Sequence, residues 1–203
     1  DVVRELRTLQ DAATPVPSKV ARELVEQELG RPIEEVFAAF EDLPVASASI
    51  GQVHRATLPD GREVAVKVQR PDAEATLKAD LALLEQVAKV VKERVRRLQF
   101  IDTVALVEEF GRTIRHELDY RVEARNVEAT RRAFTGDPTV TVPAVHWQIT
   151  TSRVLVLEWL GGDTLARTDL DGWSEADRRT LAARIAETWM KMVFVHGFFH
   201  ADP

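Results

Sequence analysis

One lysine lies in the middle of a predicted strand, where its ammonium group could bind phosphate. Lys67 belongs to residues 63–69, in which valines alternate with other residues, as in a strand whose two faces differ. Asp60 and Gly61 precede this strand, and an Asp-Gly pair supplies the positive φ of a tight hairpin turn. Residues 53–58 alternate in the same way before the turn. Lys67 is therefore either a solvent-facing lysine of a half-exposed sheet or a lysine that binds nucleotide phosphates, since V-A-x-K is a strand motif of kinases.

A loop of small residues stands where a kinase carries its phosphate loop, G-x-G-x-x-G-x-V. The corresponding segment reads Ala46, Ser47, Ala48, Ser49, Ile50, Gly51, Gln52 and Val53. The last glycine and the valine of the pattern are present, whereas alanine replaces the first two glycines. Because a Cβ disfavours positive φ, we expect a stiffer loop that holds phosphates differently. Glycine at both alanine positions is then expected to change the preference between ADP and ATP.

Two acidic residues in a helical segment are candidate partners for the lysine. Glu117 and Asp119 begin the block E-L-D-Y-R-V-E-A-R-N. On one continuous helix they would project about 200° apart and would serve different partners. A kinase pairs a helical glutamate with its strand lysine, which favours a pair between Glu117 and Lys67. The alternative is an exposed helical ion pair, Glu117 with Arg121 or Arg115 with Asp119.

The last residues, H-G-F-F-H-A-D-P, contain two histidines and an aspartate. His196 and His200 have the spacing of helical zinc ligands, but a glycine and no glutamate lies between them, so we predict no metal ligands here. H-A-D-P matches the start of a kinase-like catalytic loop, with Asp202 at the position of the catalytic aspartate. Aminoglycoside-type phosphotransferases have a similar loop.

A fully apolar predicted strand, residues 154–157, leads into a glycine-containing segment. Glu158, Trp159 and Leu160 follow the strand and resemble a kinase hinge. In that interpretation Leu157 lies at the gatekeeper position, and the backbone amide of Leu160 donates a hydrogen bond to adenine. The alternative is a strand that ends in a glycine turn.

Composition excludes several classes of protein. The chain has 203 residues, of which 45% are hydrophobic and 30% charged, as expected for a globular chain with one substantial core. A formal net charge of -6 and an aromatic content of 6% argue against a nucleic-acid partner. There is no cysteine, hence no disulfide, and no apolar run reaches the ~20 residues of a membrane helix.

Periodicity predicts mixed α and β structure. Predicted helices cover residues 1–12, a segment capped by Ser18, a short segment around residues 36–40, residues 72–98, one long helix over 103–134, and a segment capped by Ser174. Predicted strands beyond the hairpin are residues 145–149 and 154–157. The helices before the hairpin should form an extension that packs on the sheet.

The alanine loop, the following S-I-G-Q-V-H and V-A-V-K-V-Q, and the E-x-D-Y and H-A-D-P blocks together resemble the aarF domain-containing (UbiB-type) family of atypical kinases. The resemblance implies an α+β fold, a protein-kinase-like small lobe with added helices. It also implies a division into residues 1–42, an N-terminal helical extension; 43–160, the small lobe; and 161–203, the start of the large lobe. The chain begins without methionine and ends inside the catalytic loop, so a longer protein is expected.

The resemblance further implies an enzyme that binds ATP or ADP and hydrolyses or transfers phosphate in isoprenoid-quinone or membrane-lipid metabolism. Lys67 would hold the phosphates, Glu117 would fix Lys67, Asp119 would face the extension, and Asp202 would orient a hydroxyl or water. Val53 and Ala65 would cover the adenine. Mg²⁺ is expected only with residues after Pro203, so the 203 residues alone are expected to be inactive.

Expected partners are the nucleotide and, through the extension, membrane lipid or quinone-pathway proteins. The expected location is the cytoplasm, or the membrane periphery for the full-length protein. Two other functions remain open, a small-molecule phosphotransferase and a non-catalytic module that senses a nucleotide.

Overall fold

A computed structural model describes residues 15–95, 102–165 and 168–199. The predicted helix over residues 1–12 and the predicted Asp202 site lie outside these ranges. The chain divides into two compact units, the first formed by Asp1–Arg125 and Val145–Trp159, the second by Asn126–Ala144 and Leu160–Pro203. The Lys67 hairpin belongs to the first unit.

The first unit is built on a five-stranded sheet in which every pair is antiparallel. The strands are β1 (Ala39–Phe40), β2 (Ala46–Ser47), β3 (Gly51–Thr57), β4 (Glu63–Gln69) and β5 (Val154–Glu158). Their order is β1-β3-β4-β5, with β2 also paired to β3. The hairpin of β3 and β4 is confirmed, and Gly61 in its turn has a φ of 87°.

The two faces of the hairpin have different surroundings, as the alternation of side chains predicts. On one face Val64, Val66 and His54 are completely buried. On the other face Val53 lies opposite Lys67, and Lys67 lies opposite Leu155 of β5. Val53 and Lys67 are only half-buried. This second face leaves the lysine within reach of a ligand.

The N-terminal extension covers the buried face of the sheet. It contains helix α1 (Ser18–Leu29) and the short helix α2 (Ile33–Val36). The core between these helices and the sheet consists of buried apolar side chains, among them Leu24, Val25, Ile33, Phe37, Val64, Val66 and Val156. The predicted cap was wrong by one residue, because Ser18 is the first helical residue and Pro17 precedes it without a side-chain cap.

Two long helices follow the hairpin, α3 (Ala73–Arg94) and α4 (Thr103–Glu117), and they pack against each other. Gly111 of α4 permits this approach, since a Cβ there would lie 3.2 Å from a methyl carbon of Leu81. The prediction of a single helix over residues 103–134 was wrong. The chain leaves the helix at Leu118 and begins a new one, α5 (Tyr120–Ala133).

The predicted strand over residues 145–149 was also wrong. Only Val145 forms an isolated bridge, to Leu157, and Trp147–Ile149 form a 3₁₀ turn. The side chain of Thr150 explains the difference, because its hydroxyl accepts a hydrogen bond from the amide of Val156 at 3.1 Å. That amide therefore does not need a strand partner.

The second unit contains helix α6 (Glu175–Lys191), which continues as a π-helical turn, Met192–His196. Ser174 caps α6 as predicted, accepting a hydrogen bond from the amide of Asp177 at 3.1 Å. Lys191 forms an ion pair with Asp137 at 2.9 Å within the same unit. Within the described residues, no helix combines the length and the apolar character required to span a bilayer.

Candidate functional site

The lysine on the half-buried face of the hairpin forms an ion pair with Glu123 of helix α5. Its Nζ lies 2.9 and 2.7 Å from the two carboxylate oxygens of Glu123. The two side chains are 28% and 38% exposed, so the pair is open to a ligand and partly screened by water. The strand lysine is thus held by a helical glutamate, but that glutamate is Glu123. Glu117, the last residue of α4, was predicted for this role from the sequence, and its contact with Lys67 stays a prediction.

The break between α4 and α5 explains why the lysine meets Glu123. Glu117 is the last residue of α4, and the carboxylate of Asp119 accepts a hydrogen bond from the amide of Arg121 at 3.0 Å. The amide of Tyr120 donates to the carbonyl of Ser152 at 2.9 Å, which fixes the start of α5 beside the sheet. Glu123 follows within the first turn of α5. An aspartate inside a predicted long helix is a recognised start signal for a helix, and this signal could have indicated the break.

Tyr120 is a second residue of the site that the sequence did not single out. Its side chain is completely buried, and the Lys67 ammonium lies 4.8 Å from the centre of its ring. Among the described residues its hydroxyl has no hydrogen-bond partner. Burial raises the pKa of the Tyr120 phenol well above its usual range, and the nearby Glu123 charge adds to the effect. The hydroxyl therefore keeps its proton at neutral pH.

The loop of small residues forms a tight β-hairpin. In it Ala46 lies opposite Val53, and Ser47 opposite Gln52. The amide of Ala48 donates to the carbonyl of Gly51 at 2.7 Å, and the amide of Arg70 donates to the carbonyl of Ile50 at 2.9 Å. The hydroxyl of Ser47 is buried and has no hydrogen-bond partner in the described part of the chain. The loop is thus fixed to β3 and to the residue that follows β4.

Gly51 lacks positive φ, in contrast to the glycines of the turns. It is required for another reason, because a Cβ at this position would overlap the hydroxyl of Tyr120 and lie 2.9 Å from the carbonyl oxygen of Val68. The glycine therefore gives room to a side chain of the protein itself.

Asp119 pairs with the neighbouring Arg121. The guanidinium of Arg121 donates to both carboxylate oxygens of Asp119 at 2.8 Å, and these bonds hold the pKa of Asp119 below its usual value. The same hydrogen bonds and the charge of Asp119 raise the pKa of Arg121, and the charge of Glu28 in helix α1 adds a smaller effect. A contact between Asp119 and the extension, and a role of Asp119 in chemistry, stay predictions.

The remaining predicted residues lie on the Lys67 face of the sheet, at the end of β5 or in the second unit. Val53 and Ala65 lie on the same face as Lys67 and are half-buried, and Leu157 is paired with Ala65. Glu158 is exposed at the end of β5, opposite Val64, whereas Leu160 belongs to the second unit. Among the described residues, no group of three or more His, Cys, Asp and Glu side chains could hold a metal ion. Phosphate binding by Lys67 and a requirement for Mg²⁺ stay predictions.

An antiparallel sheet whose strand lysine pairs with a helical glutamate, beside a hairpin loop, defines the small lobe of a protein-kinase-like fold. The family model described as "ABC1 atypical kinase-like domain" matches residues 8–203. The chain belongs to this family.

Curated relatives place the chain close to UbiB proteins. It is 42% identical over 204 residues to "Probable protein kinase UbiB" of Cellvibrio japonicus and 38% identical over 202 residues to the protein of the same name from Marinobacter nauticus. Each alignment covers 100% of this chain and 37% of the relative. The chain therefore spans little more than a third of the length of these relatives.

A solved structure shares the fold. The complex of Rv3197 with erythromycin from Mycobacterium tuberculosis superposes with a TM-score of 0.75 at 33% sequence identity. The match covers 94% of this chain and 47% of that chain.

Proposed function

We propose that this chain carries the nucleotide-binding part of an atypical kinase or ATPase that binds ATP or ADP. The observation that supports this function is the pair of Lys67 and Glu123 on a half-buried face, beside the loop of residues 46–51. A lysine held in this way offers a fixed positive charge to phosphate oxygens. Kinase-like chemistry depends mainly on such positioning and charge neutralisation.

Each residue of this face has a distinct role in the proposal. Lys67 binds the α- and β-phosphates, and Glu123 holds the lysine in place. Ala46, Ala48 and the rest of the loop cover the phosphates, while Val53 and Ala65 contact the adenine. Asp202 orients an acceptor hydroxyl or water, and the backbone of Leu160 binds the adenine edge.

The reaction we propose is hydrolysis of the nucleotide or phosphate transfer, in support of isoprenoid-quinone or membrane-lipid metabolism. The similarity to proteins named "Probable protein kinase UbiB" supports this assignment. Lipid or quinone-pathway proteins are the proposed partners, in the cytoplasm or at the membrane periphery. We propose Mg²⁺ as a cofactor of the full-length protein.

Nucleotide titration of the full-length protein tests the proposal. Lys67→Met removes the charge that binds phosphate and should weaken ATP or ADP binding by about tenfold or more, as for a hydrogen bond to a charged group. Lys78→Met, on an exposed position of α3, is the matched control and should bind as the unmodified protein does. Equal affinities for the unmodified protein and Lys67→Met would refute the proposed site.

A small-molecule phosphotransferase is the second candidate. The specific observation in its favour is that the solved relative from Mycobacterium tuberculosis was obtained with erythromycin. A screen of small hydroxylated acceptors against the full-length protein with labelled ATP separates the two functions. Phosphorylation of one acceptor would favour the second candidate, and tight nucleotide binding without any turnover would favour a non-catalytic nucleotide sensor.

A further inference from the structure

Tyr120 touches three parts of the candidate site. Its ring faces the Lys67 ammonium at 4.8 Å, its hydroxyl fills the space beside Gly51, and its backbone begins helix α5, which carries Glu123. Ala124 and Leu155 complete a small buried cluster around it. Tyr120 thus links the loop, the lysine and the helix.

We propose that Tyr120 is the positioning residue of this site, with its ring fixing the Lys67 ammonium and its hydroxyl fixing the phosphate loop through Gly51. This inference rests on the proposed nucleotide site. It assigns Tyr120 a role in phosphate binding that is exerted through Lys67 and the loop, without contact between Tyr120 and the nucleotide.

The geometry at the ring supports the first part of the proposal. An ammonium within about 6 Å of an aromatic ring centre is attracted by the negative face of the ring. The Glu123 carboxylate binds the same ammonium, so the lysine is held by an anion and by a ring that is itself fixed. The amide of Tyr120 is bonded to Ser152 and its side chain is completely buried, which leaves the ring little freedom.

The hydroxyl supports the second part. A buried hydroxyl without a partner costs free energy, so packing alone would favour phenylalanine at this position. The hydroxyl instead occupies the space that Gly51 leaves empty, at the first residue of β3. A shift of the loop is therefore transmitted to the ring that holds Lys67.

Binding of ADP and adenosine to variants of the full-length protein tests the role of the ring. Tyr120→Leu removes the ring and should weaken ADP binding by about 2- to 30-fold, the range that a cation–π contact provides, while adenosine binding stays unchanged because adenosine has no phosphate. Tyr120→Phe keeps the ring and loses only the contact of the hydroxyl with the loop, so it should weaken ADP binding less than Tyr120→Leu does. Phe37→Leu, an aromatic substitution in the core behind the sheet, is the matched control and should change neither affinity.

Several results would overturn the inference. Equal losses of ADP and adenosine binding in Tyr120→Leu would show a general structural role, and unchanged binding of both would show no role. A loss of ADP affinity in Tyr120→Phe as large as the loss in Tyr120→Leu would show that the ring is not what holds Lys67. Absence of ADP binding by the unmodified protein would instead refute the proposed function.

Unfolding experiments without nucleotide test the role of the hydroxyl independently. Gly51→Ala introduces a methyl group that collides with the hydroxyl, so it should lower the Tm. The decrease in Tm should be smaller in the Tyr120→Phe background. Some decrease should remain, because the carbonyl of Val68 is still close to the new Cβ. Gly161→Ala, where a Cβ would meet no atom within 4 Å, is the control. Equal losses from Gly51→Ala in both backgrounds would refute the loop contact.

Discussion

The Lys67 ammonium is positioned by two side chains that act through different physical effects. Glu123 provides a charged hydrogen-bonded partner, and Tyr120 provides the face of an aromatic ring. Both residues belong to the first turn of α5, so the start of one helix determines the position of the lysine. A partner on α4, such as Glu117, would depend on a different helix.

A double-mutant cycle distinguishes the two possible glutamates. Lys67→Met and Glu123→Gln should show a coupling free energy of about 0.5–1 kcal/mol, the upper range for a half-exposed ion pair. Lys67→Met and Glu117→Gln should show no coupling. Urea unfolding of the four variants of each cycle provides the measurement. Coupling to Glu117 and none to Glu123 would restore the partner that the sequence suggested.

A buried histidine on the opposite face of the sheet joins the extension to β3. The Nδ1 of His54 donates to the carbonyl of Glu41 at 2.8 Å, and its Nε2 accepts from the amide nitrogen of Gln52 at 2.8 Å. The same Gln52 side chain binds the backbone of Val16, accepting from its amide at 2.7 Å. His54 is thus neutral in this network, because a protonated Nε2 would face the Gln52 nitrogen without an acceptor.

Acid should therefore weaken the folded state through His54. Burial lowers the pKa of His54 below its ordinary value of 6.5, the charge of Arg22 lowers it further, and the Glu41 carbonyl and the charge of Asp42 oppose the shift. The unfolded chain then binds the proton first, so the free energy of unfolding falls as the pH drops below 6.5 and levels off below the pKa of the folded state.

Unfolding at a series of pH values checks this dependence. His54→Gln should flatten the curve on the acid side, whereas His116→Gln, at an exposed position of α4, should leave it as it is. A curve that His54→Gln does not change would mean that other groups cause the acid sensitivity.

The break between helices α4 and α5 is the element that brings the site together. Asp119 produces it by accepting hydrogen bonds from the backbone and side chain of Arg121. Without the break, α5 would continue in the direction of α4, and the first turn of α5 would not begin at the Ser152 carbonyl. Asp119 thus affects the site by determining where α5 begins. It lies about one helical turn before Glu123.

Substitutions of Asp119 separate its capping role from a chemical one. Asp119→Ala removes the cap and should lower the free energy of unfolding by about 0.5–2 kcal/mol, while Asp119→Asn can still cap and should retain most of the stability. Urea unfolding measures both. Activity measurements on the same variants follow. A stable Asp119→Asn variant that loses all activity would show that the carboxylate also takes part in the chemistry.

The strands of the hairpin could be predicted, because a strand with one buried face alternates apolar residues with other residues along its sequence. Asp60 and Gly61 marked the turn, and Val64 and Val66 marked the core face. The strand predicted at residues 145–149 failed for a tertiary reason, since the hydroxyl of Thr150 satisfies an amide of β5. Such a hydrogen bond cannot be inferred from the pattern of apolar residues in the sequence.

The site was predictable in its lysine and loop but not in its glutamate. Lys67 and Gly51 were recognised from motifs of contiguous residues. Glu117 was predicted as the partner within one continuous helix, whereas the chain forms two helices and Glu123 lies in the second. Tyr120 is uncharged, and its role could be inferred only from its contacts with Lys67 and Gly51.

At the scale of the whole molecule, the residues that bind phosphate in the proposal, and the residues that hold them in place, all belong to the first unit. Lys67, Glu123, Tyr120 and the loop lie within Asp1–Arg125, and β5 joins them from Val145–Trp159. The second unit carries α6 and the segment that leads to the predicted catalytic aspartate. Phosphate binding and the expected catalytic group are thus assigned to different parts of the chain.

Hydrogen exchange with and without ADP tests this assignment in the full-length protein. Ligand at about 100 times its Kd stabilises a folded protein by about 2.7 kcal/mol, so local protection should be readily measured. We expect it in β3, β4 and the first turn of α5, because these elements hold the loop, the lysine and the glutamate. Lys67→Met should remove this protection at the same ADP concentration, and Lys78→Met should retain it. Protection confined to residues 160–199, with none in the hairpin, would place the nucleotide elsewhere and contradict the proposed site.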